Sequence, residues 1–489
     1  MKFSDRFTFF KSKSFARILL IIIALLFFFG GINRSLIRYI DDVYHAHLGR
    51  LVMQHNTIVN VPDPWYSRGY YFQKPTFIPA LISLGQRIFP VSTLGSKLFL
   101  ILNAMLCLLV IYLLLKHYFS EEYAWISVFI LITTQLLLWY TRRCGFDSAC
   151  TYYIALAVLF YFFGDSDDKN SIPLFVLSGF FSGLSVMTKG IMGLLAPAVI
   201  CMYTLVMRRF NHLIKKALIM LPVFLVVVLP WHITMYVAHK NAFIESYLWT
   251  WQLSFLTGGS PMAKWGWWTN LQKVLENYWP WLIVLLYAFY RGVRDILSKK
   301  LQDTDKRWII LHMIWILFVF IVFQISEVKR YHFTLPAYTA MGFFSAYYFI
   351  RIRCYTALKK AAIVLAMITG LLFLCTRFSV MLDQPDKDWQ EHKGMFEYIN
   401  NRYNNKNTVI YIYPCRKGLG HWLIDGFIAH TRCRIKNCYD LEKLDVYLEN
   451  GKEELLYIRN DDLPKNNALY EKYREHLIYQ HEDIMLFRI

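Results

Sequence analysis

Long apolar stretches recur along the chain as far as about residue 376, and they constrain its fold more than any other feature. Charged residues are confined to short segments between these stretches. Most of these stretches approach the ~20 residues with which a helix crosses the hydrocarbon core of a bilayer, and the eighth, near 279–290, is short. The composition agrees, because 56% of the residues are hydrophobic and only 18% are charged. The sequence therefore predicts a polytopic transmembrane helical bundle, mainly α. About eleven spans are predicted, near residues 18–33, 94–115, 122–140, 148–163, 172–187, 191–207, 217–237, 279–290, 308–325, 332–350 and 360–376.

Basic residues mark one side of the predicted bundle. They cluster in the N-terminal segment, at residues 208–216, between 291 and 307, and between 351 and 360. Short loops rich in Lys and Arg usually face the cytoplasm, so these segments are predicted to be cytoplasmic. An odd number of spans then places the C-terminus outside. The +19 net charge is explained by these loops and by their contact with anionic membrane lipids. No nucleic acid partner is predicted.

Five basic residues depart from this rule, because they lie in short loops on the opposite, outer side. Guanidinium and ammonium groups near an outer membrane surface can hold the phosphate of a lipid carrier whose tail stays in the bilayer. An interfacial anchor that reaches the headgroups is the alternative for any single one of them. The five residues are Arg142, Arg143, Lys189, Lys329 and Arg330.

Acidic residues flank the predicted spans on the same outer side. Asp41 and Asp42 follow the first span, and the segment from Val43 to Asn56 has the apolar spacing of a helix lying along the membrane surface. Asp147 leads directly into the fourth span, where a helix N-cap is the alternative role. A transferase that deprotonates an acceptor beside a phosphate leaving group needs a carboxylate base next to cations, and these loops offer both.

The order of these features resembles the GT-C superfamily of membrane glycosyltransferases, in the branch that contains lipid A aminoarabinose transferases and protein O-mannosyltransferases. The similarity extends over roughly residues 15–350 and rests on the order and sidedness of several short motifs. The motifs are Asp41-Asp42-Val43-Tyr44-His45-Ala46, Gln73-Lys74-Pro75, Arg143-Cys144-Gly145-Phe146-Asp147, Thr188-Lys189-Gly190, Trp279-Pro280-Trp281 and the segment from Ser326 to Pro336.

This resemblance implies a multi-pass protein of a bacterial inner membrane, with its active site and C-terminus in the periplasm. Its partners would be a polyprenyl-phosphate sugar donor, a lipid (lipid A-like) or protein acceptor, and membrane lipids. Asp41 would be the catalytic carboxylate that manages the acceptor's proton, and Asp147 would be the second acid of the site. Lys74 would contact the donor phosphate. The other residues expected at the substrate are Asp42, Arg142, Arg143, Lys189, Lys329, Arg330 and Tyr331.

One position departs from the aminoarabinose transferases, which carry a glutamate immediately before the Lys-Pro pair. Here that residue is Gln73, and a neutral amide is a far poorer ligand for a divalent ion than a carboxylate. We therefore assign no metal and no cofactor. A divalent metal stays open as an alternative, with His239 of the second outside loop and the Asp41–Asp42 pair as its candidate ligands.

The last part of the chain changes abruptly to a charged and polar composition. Helix-like segments alternate there with strand-like ones, which predicts a small soluble α/β domain with a largely parallel sheet. The helix-like segments are 389–403 and 419–429, and the strand-like segments are 408–413 and 483–489. The predicted domains are a transmembrane domain over 1–376, with outside loops 34–92 and 238–278, and an extracytoplasmic domain over 377–489.

A transporter or flippase of a lipid-linked sugar is the alternative function, and a catalytically inactive assembly protein is a third. Transport sites lie near the bilayer midplane on broken helices, often in repeated halves of the chain. This sequence has no evident internal repeat, and its outer acids flank the predicted spans instead of interrupting them. The pattern therefore favours a transferase over both alternatives.

Overall fold

The chain folds into a helical bundle followed by a small sheet. The structure, a computed structural model, describes residues 12–32, 40–63, 69–90, 92–166, 171–254, 266–298, 301–326, 330–352, 356–378, 387–403, 408–413, 431, 433–437, 453–459, 473–481 and 484–489. The helices are α1 Lys13–Phe29, α2 Ile40–His55, α3 Phe77–Ile88, α4 Thr93–Tyr118, α5 Glu121–Thr133, α6 Gln135–Thr141, α7 Asp147–Gly164, α8 Ser171–Lys189, α9 Leu195–Val206, α10 Phe210–Phe243, α11 Thr269–Asn277, α12 Trp281–Leu297, α13 Asp303–Ile325, α14 Leu335–Arg351, α15 Thr356–Phe378 and α16 Lys387–Arg402. The mainly α fold class predicted from the sequence is confirmed.

A helix lies at each of the predicted spans, but fewer segments are long and apolar enough to cross a membrane. Within the described residues there are six such segments, or seven if the bent pair α5 and α6 forms one span. Two predicted spans merge in the segment Ser171–Val206, which has 36 residues and contains the 3₁₀ turn Gly190–Leu194. Helices α1, α12 and α14 have 17 residues each, slightly short of the ~20 that a crossing needs.

Helix α7 forms the centre of the bundle, with every side chain from Ser148 to Gly164 buried. A helix that is apolar on all sides requires neighbours on all sides, and α4, α8, α9 and α14 supply them. Helices α8 and α10 approach closely where α8 carries Gly179, since a Cβ atom there would lie 2.4 Å from the carbonyl oxygen of Met220. Small residues at such crossings let helix backbones pack tightly in membranes.

A sharp bend precedes α7 and sets the position of its N-terminal end. Helices α5 and α6 meet at an angle of 72°, and the hydroxyl groups of Thr133 and Thr134 donate to the α5 carbonyl groups of Phe129 and Ile130 at 2.7 Å. Such bonds from side chain to backbone compete with the helical ladder and favour a bend. The short connection after α6, residues 142–146, thereby reaches α2, as its hydrogen bonds described below show.

The predicted outside loops contain more regular structure than loops usually do. The helix expected from Val43 to Asn56 is confirmed as α2. In the second loop, α10 continues to Phe243, a π-helix covers Ile244–Leu253, and α11 follows. His239, a candidate metal ligand in this predicted outside loop, therefore lies in its helical part. Residue Lys240 breaks the helical path with φ 47° and ψ −127°.

The C-terminal residues form one mixed sheet with the strand order β2-β1-β3-β5-β4. Strand β1 pairs in parallel with β2 and β3, whereas β5 pairs antiparallel with β3 and β4. The prediction of a largely parallel sheet was wrong for β4 and β5, because the two-residue connection at 482–483 allows only a hairpin. The helix expected over 419–429 lies outside the described residues. The strands are β1 Thr408–Tyr413, β2 Arg434–Asn437, β3 Glu453–Arg459, β4 Leu477–His481 and β5 Ile484–Arg488.

Candidate active site

The connection between α6 and α7 binds the N-terminal turn of α2 through Arg143. The Nε atom of Arg143 donates to Oδ1 of Asp42 at 2.7 Å, and the Asp42 side chain is only 3% exposed. Asp41 is different, since its carboxylate is 67% exposed and lies 4.0 Å from an Arg143 nitrogen. Asp42 is thus held in a buried ion pair, while Asp41 keeps one side open to react.

The charges around Asp41 favour its ionised form. Surrounding protein groups desolvate the carboxylate and so raise its pKa, but positive charges outweigh this effect. His45 has the largest such effect, in the charged form that it takes only at low pH, and Lys74 and Arg143 add to it, so the pKa of Asp41 is below its usual value. Burial disfavours the guanidinium of Arg143, yet the neighbouring Asp42 raises the Arg143 pKa above the ordinary value. Asp41 is therefore a carboxylate, and not a carboxylic acid, near neutral pH.

A second acid–base pair joins the start of α7 to the end of α8. The ammonium group of Lys189 donates to Asp147 and is 7% exposed. The same ammonium lies 4.8 Å from the ring centroid of Phe333, which belongs to the 3₁₀ turn before α14. The motifs that contain Asp147 and Lys189, which are separated by the two helices α7 and α8, are thereby in direct contact, and the Lys189 ammonium also lies over Phe333 of a third motif.

Lys74 lies in the same group of charges, but no carboxylate of the described chain forms an ion pair with it. Its ammonium is 4.6 Å from the ring centroid of Phe146, next to Asp147 in sequence. Burial and the nearby charge of Lys189 lower the pKa of Lys74, while Asp147 and Asp41 act in the opposite direction. The protein therefore leaves this cation incompletely compensated, and a bound anion would compensate it.

Two histidines close to the carboxylates are uncharged. Nδ1 of His45 lies 2.9 Å from the carbonyl oxygen of Cys144; a carbonyl only accepts, so Nδ1 carries the proton and Nε2 is an acceptor. Burial lowers the pKa of His45 to about 3, and that of His332 likewise to about 3. Both residues belong to the sequence motifs given above, but their charge depends on burial, which a motif does not reveal.

Not every cation predicted for the site faces this group. Arg142 donates to the carbonyl oxygens of Phe27 at 2.7 Å and Gly30 at 2.6 Å, so it holds the C-terminal end of α1. The Tyr331 ring lies 6.3 Å from that of Tyr140, and Arg330 immediately precedes Tyr331 in sequence. Lys329 lies outside the described residues. The structure thus brings together Asp41, Asp42, Lys74, Arg143, Asp147 and Lys189, with Arg142 apart from them.

The described residues do not fit the metal that the resemblance left open. They contain no group of three His, Cys, Asp or Glu side chains suited to hold an ion. The amide nitrogen of Gln73 instead donates to the hydroxyl of Tyr44 at 2.9 Å, and Asp42 is paired with Arg143. We derive no step through a metal.

Comparison with known proteins places this arrangement in a class. The family model for dolichyl-phosphate-mannose-protein mannosyltransferases matches residues 73–233. An undecaprenyl phosphate-alpha-4-amino-4-deoxy-L-arabinose arabinosyl transferase 2 of Pseudomonas fluorescens Pf-5 is 22% identical over 54% of this chain and 45% of its own length. The corresponding protein of strain Pf0-1 is 20% identical over 73% of this chain and 64% of its own length. The chain therefore spans between about half and two-thirds of these two relatives.

Solved structures share the fold along nearly the whole chain. The crystal structure of ArnT from Cupriavidus metallidurans bound to undecaprenyl phosphate has a TM-score of 0.75 at 14% identity and covers 98% of each chain. An oligosaccharyltransferase from Archaeoglobus fulgidus, in complex with Zn and sulfate, has a TM-score of 0.55 at 16% identity, over 86% of this chain and 62% of its own.

These similarities define a polytopic membrane protein with a GT-C fold. Family model, relatives and fold agree, and they confirm the resemblance drawn from the motifs. The chain is therefore similar, in its matched segment and in its fold, to the GT-C superfamily of membrane glycosyltransferases.

Proposed function

We propose that the protein is a glycosyltransferase that uses a polyprenyl-phosphate sugar donor and acts on a lipid or protein acceptor at the periplasmic surface of a bacterial inner membrane. The observation that carries this proposal is Lys74, a partly buried cation without a carboxylate partner among the described residues. It lies over the Phe146 ring, and its pKa is lowered by burial and by Lys189. A monophosphate anion would supply the missing negative charge.

The geometry suits displacement at the anomeric carbon of the sugar. The bond from this carbon to the phosphate oxygen breaks, and a bond from it to the acceptor oxygen forms. The proton of the acceptor hydroxyl passes to Asp41, whose carboxylate is exposed on one side. The polyprenyl phosphate leaves with its electron pair, and Lys74 with Lys189 stabilises the charge that develops on it. Asp147 and Asp42 hold Lys189 and Arg143 in place.

The nature of the donor rests on the relatives as well as on the site. Undecaprenyl phosphate appears in the names of arabinosyl transferases similar to this chain and in the ArnT complex that shares its fold. The matching family model describes mannosyl transfer to protein. A lipid phosphate, another glycolipid hydroxyl and a Ser or Thr hydroxyl all suit a carboxylate base beside a phosphate pocket. Mass spectrometry of the lipid and exported-protein fractions, from cells with and without the protein, tells these acceptors apart.

The decisive experiment is transfer by purified protein in detergent, without a membrane gradient. Lys74→Ala removes a charge-assisted contact worth roughly 1.5–3 kcal/mol, so use of the donor should fall by about ten- to a hundredfold. Lys306→Ala is the control, because Lys306 is exposed on α13, and it should leave donor use unchanged.

A transporter behaves differently in this assay. It gives no product in detergent, wild type included, and needs sealed vesicles to register activity. Wild-type protein that fails with a panel of polyprenyl-phosphate sugars and acceptors, yet moves one of them across vesicles, would overturn the proposal.

The proposed orientation is tested separately. A cysteine introduced at Asn60, in a background without other reactive cysteines, should react with a membrane-impermeant thiol reagent applied from outside. One introduced at Asp303 should not, since the basic segments around α13 are expected in the cytoplasm. The opposite labelling would place the candidate site on the cytoplasmic side.

A further inference from the structure

A buried amide connects the two loops that carry the lysines of the site. Gln252, in the π-helix Ile244–Leu253, is 6% exposed. Its Nε2 atom donates to the carbonyl oxygen of Gln73 at 2.9 Å. Its Oε1 atom accepts from the backbone N–H of Ile191, also at 2.9 Å. Both ends of one side chain are thus hydrogen-bonded to main chain from two different loops.

Each of these main-chain partners is next to, or two residues from, a lysine of the site. Gln73 immediately precedes Lys74, and Ile191 follows Lys189 and Gly190. The amide therefore fixes the distance between the backbone segments that carry Lys74 and Lys189. Without it, two like charges would be free to move apart, since Lys189 lowers the pKa of Lys74 by direct repulsion.

Gly190 is shaped to receive this amide. Its φ of +58° is one that residues with a side chain rarely adopt. A Cβ atom at this position would lie 2.3 Å from Oε1 of Gln252 and 2.9 Å from its Nε2. The glycine thus serves two purposes, because it permits the turn after Lys189 and leaves room for the side chain that joins the loops.

The loop on the Gln73 side is fixed further toward α2. The Gln73 side chain donates to the hydroxyl of Tyr44 at 2.9 Å, and this hydroxyl donates to Asp63 at 2.8 Å. Tyr44 is on the same helix as Asp41, three residues further along. A continuous series of hydrogen bonds therefore runs from Asp63 through Tyr44 and Gln73 to Gln252 and Ile191.

We propose that Gln252 is a positioning residue of the phosphate site, which sets the spacing of Lys74 and Lys189 for one phosphate group of a polyprenyl monophosphate. This inference rests on the proposed function, which supplies the ligand. Gln252 does not touch the phosphate itself. Its two hydrogen bonds, one to each loop, let both ammonium groups reach the same anion without the entropic cost of ordering two separate loops.

The test uses the full-length protein in detergent, with undecaprenyl phosphate as the probe and with the donor in steady-state kinetics. Gln252→Met keeps the length of the side chain and removes both hydrogen bonds. Loss of two such bonds should weaken binding of undecaprenyl phosphate and raise the donor KM by about tenfold. The value of kcat should fall by less, about threefold, because both ammonium groups remain present to stabilise the leaving phosphate once the donor is bound. Asn103→Ala, which removes an amide bonded to Tyr153 between α4 and α7, should leave the affinity within about twofold.

A double-mutant cycle separates positioning from general loss of structure. In the Lys74→Ala background, Gln252→Met should weaken binding by about threefold or less, because one of the two lysines it positions is gone. Gly190→Ala should give the same loss of affinity as Gln252→Met, since its Cβ displaces the amide. Should Gln252→Met fail to fold, Gly190→Ala and Gln252→Glu, which keeps the acceptor for Ile191, decide the question.

Two results overturn the inference and leave the proposed function in place. One is a Gln252→Met affinity within about twofold of wild type while Lys74→Ala loses binding. The other is full additivity of the two substitutions. If wild-type protein does not bind undecaprenyl phosphate at all, the proposed function is overturned, and the inference with it.

Discussion

Helix α7 has an aspartate at each end, and the two differ in the number of cations that bind them. Just beyond its C-terminal end, Asp165 is 3% exposed and accepts from Arg209 at 3.1 Å, and also from Lys216 and Arg307. At its N-terminal end, Asp147 forms an ion pair with one cation of the described residues, Lys189, and Asp41 close by is 67% exposed. Eighteen helical residues, about 27 Å at ~1.5 Å per residue, separate two clusters built from the same residue types.

The closed end fastens helices together. Arg209 and Lys216 belong to the start of α10 and Arg307 to α13, so one carboxylate joins three elements. Arg307 also donates to the hydroxyl of Tyr203 on α9 at 3.1 Å. Each of these three cations is paired with a carboxylate of the protein, which leaves none of them to recruit a ligand. Such an arrangement is typical of a structural ion cluster.

The open end lacks that completeness. Arg143 and Lys189 are paired with Asp42 and Asp147, but Lys74 has no ion-pair partner among the described residues. The contact between Asp41 and Arg143 is a long one, at 4.0 Å. We infer that such charges serve a structural role where the protein pairs all of them, and can receive a ligand where a cation such as Lys74 has no ion-pair partner among the described residues. The predictions below test this difference, beginning with the largest expected effect.

Removing the exposed carboxylate of Asp41 should abolish transfer without unfolding the protein. Asp41→Asn keeps the size of the side chain and loses its basicity, so we expect activity to fall by about 10²–10⁴-fold. The thermal midpoint should stay close to that of wild type. Asp42→Asn, which breaks the buried pair with Arg143, should cost less activity. Sugar transfer in detergent measures both, and an Asp41→Asn rate within about threefold of wild type would contradict the assignment.

Removing the carboxylate at the closed end should do the reverse. Asp165→Asn leaves three cations around a neutral amide, and breaking a buried ion pair from one side costs about 3–5 kcal/mol. Unfolding in detergent should therefore begin at much lower temperature, while transfer per folded molecule stays near wild type. Asp303→Asn is the matched control, since its carboxylate is 69% exposed and 3.8 Å from Arg209, and it should cost under about 1 kcal/mol. Equal stability of the two variants would show that the closed end is not a structural cluster.

The sequence was sufficient to predict that several charged residues at the ends of the helices lie close together. Asp41, Lys74, Asp147 and Lys189 each lie next to an apolar run. The predicted topology puts all four on the same side of the bundle, and this was enough to expect them close together. The partners within the cluster were not predictable in this way. Arg142 and Arg143 are adjacent in sequence, yet Arg142 donates to carbonyl groups at the end of α1 and Arg143 donates to Asp42. The two side chains point to different partners because α6 ends at Thr141, immediately before them.

Other features left no pattern to find. Gln252 is 61 residues from Ile191 and 179 from Gln73, and a lone glutamine in an aromatic segment is not a motif. The bend between α5 and α6 was not predictable either. Apolar runs predicted that the helices exist, whereas the bend depends on the hydroxyl groups of two threonines. The sequence predicted a sheet in the C-terminal part but not which strands pair antiparallel. The direction of a strand depends on the length of the connection before it and on the strands that pair beside it.

Removing a single cation at each end of α7 should have smaller effects on the free energy of unfolding, and the two effects should differ. Lys216→Met should lower the free energy of unfolding by about 1.5–3 kcal/mol, less than Asp165→Asn, because Arg209 and Arg307 remain on the carboxylate. Lys74→Met should not lower it at all in the absence of lipid, since it removes an uncompensated charge. Thermal unfolding of both variants without added polyprenyl phosphate measures the difference. A Lys74→Met protein as unstable as Lys216→Met would mean that the open end is also held together by its cations.

The smallest expected effect concerns pH. A histidine of ordinary pKa, ~6.5, would gain most of a positive charge between pH 7 and about 5.5. Burial lowers the pKa of both His45 and His332 to about 3, so neither should gain it. Asp41 has a pKa below its usual value and stays ionised over the same interval. Transfer per folded molecule should therefore change by less than about twofold between pH 7 and 5.5.

Steady-state transfer at saturating donor, measured across that interval, checks this expectation. His45→Gln and His332→Gln are the matched variants, because they remove one titrating group each and should leave the flat profile unchanged. A tenfold fall with an inflection near pH 6.5, lost in either variant, would show that the histidine is charged in the working enzyme. The open end would then hold one more cation than the structure gives it, and Lys74 would no longer be the group that the phosphate has to compensate.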